Sequence, residues 1–169
     1  MKISWDKRHI GDVGCSALVT IDGILFLSNG LKYKVGVCIH SGNIVWINGP
    51  FRGGENDLNI ARQSLIGALD EGEMVEADGG YCGEKWYIKV PKDATSEEQK
   101  RLKTITRSRH ETANKRFKIF EVLKKQFRHE LEKHSMCFRA VAVITQLSIE
   151  NGHPLFTVEY LNIAGENDV

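Results

Sequence analysis

The chain has 169 residues, of which 41% are hydrophobic and 27% charged, with a formal net charge of +1. That length suits one domain around one core, and the balance excludes a disordered or fibrous chain. No apolar run reaches membrane-spanning length and "MKISWDKRHI" has no secretory pattern, so Cys15, Cys38, Cys82 and Cys137 are expected to be reduced intracellular thiols.

"SALVTID" (16–22) alternates apolar and polar residues and closes on Asp-Gly, which predicts a strand ending in a turn. "KYKVGVCIH" (32–40) and "IVWING" (44–49) flank Ser41-Gly42-Asn43, so they read as a hairpin that Gly49-Pro50 brings to an end. Helical spacing of Ile60, Ser64, Leu65 and Leu69 predicts a helix over 58–69, capped by Asn56 or Asp57. Asp57 is read as a cap rather than as a reactive acid. "MVEAD" (74–78) is the next strand, and "EKWYIKV" (84–90) another, stopped by Pro91.

From Ser96 to His134 there is no Gly or Pro, and Ser96 followed by Glu97, Glu98 and Gln99 is a helix start of the capping-box kind. Ala113, Phe117, Phe120, Phe127 and Leu131 are expected to form its buried stripe. A last, mostly apolar helix is predicted over 135–151, closed by Asn151-Gly152. The order strand, strand, strand, helix, strand, strand, helices predicts an α/β fold with a central mixed five-stranded sheet and a long C-terminal helical segment. Residues 1–160 are expected to form a single domain, and 161–169 a flexible acidic tail.

Charge is spread unevenly. Residues 1–84 hold seven Lys/Arg against eleven Asp/Glu, residues 85–134 fifteen against seven, and the last 35 residues one against four. A basic segment beside an acidic one suits a protein that holds cations in one place and a polyanion in another. Asp22 and Asp78 each precede a glycine at an expected strand end. Neighbouring strands lie about 5 Å apart, so two such ends can bring carboxylates close enough to share a cation. On the long helix Arg107, Glu111 and Lys118 fall within about 40° of one another, flanked by Asn114 and Lys115. Glu76 is read as a solvent-facing rim residue and His110 as a surface histidine. No nucleophile elbow, Walker loop, dinucleotide fingerprint or zinc-ligand spacing occurs.

Asp22, Asp78 and Glu111, with 32 residues between the last two, resemble the DDE motif of transposases. "RSRHETANKRFK" matches the R-x3-E-x6-K part of that family's signature at Arg107, Glu111 and Lys118, with Thr104 where a tyrosine often stands. "ADGGY" and "YKVGVCIHSGNIVWINGPFRGGENDLNIAR" are similar to the corresponding stretches of Harbinger-like DDE superfamily endonucleases.

The resemblance implies a ribonuclease H-like fold and Mg²⁺ or Mn²⁺ held by Asp22, Asp78 and Glu111. It also implies phosphodiester cleavage by a two-metal mechanism, with Arg107, Lys115 and Lys118 on the DNA backbone. A catalytically inactive, transposase-derived binding domain is the alternative. No helix-turn-helix pattern precedes the first strand, so a separate DNA-recognition protein or domain is an expected partner. A homo-oligomer is compatible with this, as is a nuclear location in a eukaryote. Residues 23–31, which join Asp22 to the next strand, form a shorter connection than the resemblance leads one to expect. The apolar alternation of "SALVTID" is nonetheless expected to keep that strand beside the Asp78 strand.

Overall fold

The computed structural model describes residues 1–3, 5–6, 17–26 and 30–157. Its sheet contains β1 (Ala17–Phe26), β2 (Leu31–Cys38), β3 (Ile44–Arg52), β4 (Met74–Glu76) and β5 (Ile88–Lys89). The helices are α1 (Asp57–Ser64), α2 (Glu97–Lys118), α3 (Glu121–Lys124) and α4 (Leu131–Glu150). The proposed tail, 161–169, lies outside the described residues, as does Cys15; Cys38, Cys82 and Cys137 are free thiols.

The strand order is β3-β2-β1-β4-β5. β1, β2 and β3 pair antiparallel, whereas β4 runs parallel to β1 and β5 parallel to β4. This is the expected α/β, ribonuclease H-like arrangement. The chain makes an antiparallel meander and then crosses one face through α1 to add β4 on the far side of β1.

Period-two alternation sorts the side chains onto two cores. Ile24, Phe26, Tyr33, Val35 and Val37 face α2 and α4, where they meet Ala113, Phe117, Phe138 and Val141. Val19, Ile21, Cys38 and Val75 face the other way and pack with Leu58, Ala61 and Leu65 of α1 and its continuation. In the first core Tyr33 stacks on Phe138 at 3.9 Å between ring centroids, and its hydroxyl meets His134 Nδ1 at 2.8 Å.

Several expectations need correction. Asp22-Gly23 is no turn: β1 continues to Phe26 because Gly23, Ile24 and Phe26 pair with Lys34, Tyr33 and Leu31 of β2. Gly49-Pro50 does not end β3, which runs on to Arg52 through a register irregularity opposite Lys32 and Lys34. The 84–90 strand shrinks to two residues. Asn56, not Asp57, caps α1, accepting from the amides of Leu58 and Asn59, and Asp57 is the first helical residue. The long helical stretch breaks after Lys118 without Gly or Pro. Phe120 takes an extended conformation there and Leu123 is fully buried, so tertiary packing overrides local propensity. Because of that break Leu131 begins α4 and is 54% exposed, outside the expected buried stripe.

Candidate active site

β1 places Asp22 in the middle of the sheet. Asp22 shares the parity of Ile24 and Phe26, so it projects toward α2, where its Oδ2 accepts a 3.2 Å hydrogen bond from the Asn114 amide. Its Oδ1 accepts from the Gly23 amide at 2.6 Å. Burial pushes the Asp22 carboxyl above its ordinary range, further than the Gly23 and Asn114 bonds and the Lys34 charge can pull it back. Neither hydrogen-bond donor is charged.

The turn after β4 supplies the second acid, since that strand ends at Glu76 rather than running through Asp78 as expected. Thr20 of β1 stands opposite Glu76, and two residues further along each chain lie Asp22 and Asp78. Asp78 caps a single 3₁₀ turn, Gly79–Tyr81, its Oδ1 accepting from the Gly80 amide at 2.8 Å. A Cβ added to Gly80 would lie 3.1 Å from Asp78 Oδ1 and 3.4 Å from Asp57 Oδ2, so a larger residue there would push between two carboxylates. A Cβ on Gly79 would meet nothing within 4 Å. The two glycines thus serve different ends, one to keep two acids close and the other to leave the mouth of the site open.

α2 covers this end of the sheet. Its inward face changes character along its length: Thr106 and His110 are buried beside the middle of β1 and the end of β4, and Ala113 and Phe117 over the apolar core. Between the helix, the middle of β1 and the end of β4 lies a cleft of about 470 Å³. Asp22, Glu76 and Asp78 line its floor, and Lys100, Lys103, Arg107 and Glu111 line its helical wall. Of the residues expected from sequence, the cleft therefore gathers Asp22, Asp78, Glu111 and Arg107. Lys115 and Lys118 are exposed further along the helix and do not line it.

Glu111 is 53% exposed in its side chain and pairs with Arg107 at 3.3 Å. Among the described residues no three His, Cys, Asp or Glu side chains stand close enough to hold one ion. Glu76 is not a free rim residue: it is mostly buried and takes a 2.6 Å ion pair from Lys103.

His110, expected at the surface, is 2% exposed. Neither ring nitrogen has a well-formed hydrogen bond, although the Thr20 backbone lies nearby. Burial lowers its pKa to about 4, with the Lys34 charge acting in the same direction. Unfolded histidine titrates near 6.5. Between those values the unfolded chain binds a proton that the folded chain refuses, so stability falls as pH drops from about 6.5 to about 4. The loss is expected to reach about 3 kcal/mol. Burial also lowers His40 and His134, so denaturant titrations across this window should show a slope in the wild type that is markedly shallower in His110→Phe; parallel pH profiles for the two proteins would refute it.

Behind the cleft, on the α1 face, lies a cluster that sequence reasoning missed. Lys34 is 1% exposed, and its Nζ donates to Asp57 Oδ1 at 2.6 Å and to the Tyr81 hydroxyl at 2.7 Å. Lys32 donates to the same Asp57 oxygen at 2.8 Å. Burial pushes the Asp57 carboxyl up, but bonds from the two lysines outweigh it and hold the group below its ordinary range. Burial lowers Lys34 in turn, against the pull of Asp57. Gly23 belongs to this cluster as well, since a Cβ there would stand 3.0 Å from Lys34 Nζ. The available signal was Asp57 itself, adjacent to a residue already able to cap the helix and so left free for another role.

Among the described residues no helix is long and apolar enough to cross a membrane. No curated protein and no solved structure gives a significant match to the chain. The family model described as DDE superfamily endonuclease matches residues 27–146, a span that contains Asp78, Glu111 and the whole helical wall of the cleft and begins five residues after Asp22. With that match over most of its length, on a sheet of the ribonuclease H type, the chain belongs to the DDE superfamily endonucleases.

Proposed function

We propose that the protein is the catalytic domain of a metal-dependent DNA endonuclease or transposase, with Asp22, Asp78 and Glu111 as its catalytic acids. The observation that carries this reading is the convergence of the three, from β1, the turn after β4 and α2, on one cleft edged by Lys100, Lys103 and Arg107. The donor set fits Mg²⁺ or Mn²⁺: three carboxylates offer hard oxygen ligands and need no thiolate or imidazole. Asp22 adds a physical reason, because it is a half-buried anion whose hydrogen bonds come from uncharged donors and whose ionisation burial opposes. A bound divalent ion would supply Lewis-acid stabilisation of the phosphate and a more acidic water.

The chain's own residues do the rest. Asn114 and the Gly23 amide fix the orientation of Asp22, and the Gly80 amide fixes that of Asp78. Glu111 is the mobile member, since an exposed pair with Arg107 contributes little and is easily given up. Arg107, once released, is placed to meet a phosphate oxygen at the cleft mouth. Calorimetry tests the reading: Mn²⁺ should bind the wild type and bind Asp78→Asn at least about tenfold more weakly. Equal binding by both proteins would remove Asp78 from the site.

The spacing of the acids favours a second reading, a transposase-derived domain that binds DNA without cutting it, because no three acidic or imidazole side chains are yet assembled among the described residues. Both readings predict DNA binding through the basic helical segment. That binding should persist without metal and weaken steeply with salt, and Lys115→Glu with Lys118→Glu should lower affinity alike for unrelated sequences. Each lost phosphate contact should reduce the slope of log affinity against log salt by about 0.9. Anisotropy titrations at several salt concentrations measure this, and a sequence-selective or salt-independent interaction would contradict it.

A further inference from the structure

α4 is half core and half unclaimed. His134, Phe138, Val141, Ala142, Thr145 and Ile149 turn inward. On the outer side Met136 is 63% exposed, Val143 41%, Ile144 52% and Leu147 52%, with Ala140 exposed between them. These five lie within roughly 100° of the helix circumference, a continuous apolar stripe three turns long. Scattered exposed apolar residues need no explanation, but a contiguous stripe on a single helix marks an interaction surface.

The spacing of the stripe identifies the occupant. Lys133, Met136, Ala140, Val143, Leu147 and Glu150 recur at alternating intervals of three and four residues, the period of a two-helix seam. Set against its own copy in antiparallel orientation, about a two-fold axis level with residues 141–142, this series is self-complementary. Ala140 meets Val143, Met136 meets Leu147, and Lys133 at one end meets Glu150 at the other. A small residue against a larger one at the centre allows close approach, and the two ends match in charge. A parallel pairing would instead set Lys133 against Lys133 and Glu150 against Glu150.

We propose that α4 is a homodimerisation helix, paired antiparallel with α4 of a second copy through this seam. In the monomer Lys133 makes a loose 3.8 Å contact with Glu130, and Glu150 accepts a hydrogen bond from Gln146 of its own helix. The buried area of one such helix pair, on the order of 1,000 Å² in total, lies at the low end for a specific interface, so the dimer is reversible and concentration-dependent.

Sedimentation equilibrium of the whole chain tests this. The wild type should move from the 19.0 kDa monomer toward twice that mass as concentration rises through the micromolar range. Ala140→Glu should weaken association at least about tenfold with an unchanged circular-dichroism spectrum. Lys133→Glu should weaken it too, and adding Glu150→Lys to that variant should restore it. A wild type that stays monomeric throughout overturns the proposal, as does a dimer indifferent to Ala140→Glu. Failure of the double variant to recover would rule out the antiparallel pairing.

Discussion

Asp22→Asn, Asp78→Asn and Glu111→Gln are each expected to abolish Mn²⁺-dependent nicking of duplex DNA while leaving the fold intact. The three acids supply the charge that holds the cation, and loss of the stabilisation an ion gives a phosphoryl transition state amounts to several kcal/mol, about a thousandfold in rate or more. Stability should move the other way for Asp22. Its folded carboxyl is held above its ordinary range, so ionised Asp22 destabilises the metal-free fold at neutral pH, and that penalty is relieved as pH falls through the folded value. Asp22→Asn should therefore melt at the same temperature as the wild type or higher. Supercoiled-plasmid nicking and thermal melts on the same preparations measure both effects. Equal cleavage by wild type and all three variants would reject the assignment. Inactivity of the wild type with metal-independent DNA binding intact would select the non-cutting reading.

The largest loss of stability is expected at Asp57. Asp57→Ala leaves Lys34, whose side chain is 2% exposed, with only the Tyr81 hydroxyl, and takes from Lys32 its one anionic partner in the cluster. Removing one partner of a buried pair strands the other charge, which costs about 3–5 kcal/mol. Urea titration should show a shift of that size, and Lys34→Met added to Asp57→Ala should recover much of it, because the uncompensated ammonium is then gone. A loss under about 1 kcal/mol would mean that Lys34 is solvated after all. Asp57→Asn also distinguishes the structural acid from a catalytic one: it should destabilise the protein and still leave nicking in the folded fraction.

The two experiments address neighbouring carboxylates with opposite roles. Gly80 lies between Asp57 and Asp78, and Asp57 and Lys34 both act on Asp22 through space. Asp57 is neutralised by two lysines and braces the sheet, whereas Asp22 lacks a bonded cation and faces the cleft. The same side-chain chemistry is spent on stability in one place and left available in the other.

Strand alternation, the turn at Ser41-Gly42-Asn43, the helix start at Ser96 and the order of elements were legible in the sequence, because each depends on residues within a few positions of one another. Those signals were enough to imply a mixed sheet and to put Asp22 and Asp78 on strands that could be neighbours. Only the tertiary structure decided the rest. Asp22-Gly23 has the form of a turn, and pairing with β2 makes it strand interior. Asn114 reaches Asp22 across 92 residues, and Lys34 reaches Asp57 across 23. His110 is buried because α2 crosses the sheet with its polar half over the middle of β1 and the end of β4, and the helix breaks after Lys118 because burying Leu123 outweighs continuing the turn. In each case the deciding partner comes from another element. Which charged group is paired, which is buried and which faces the cleft follows from sheet register and helix crossing, and neither is encoded in any short stretch of chain.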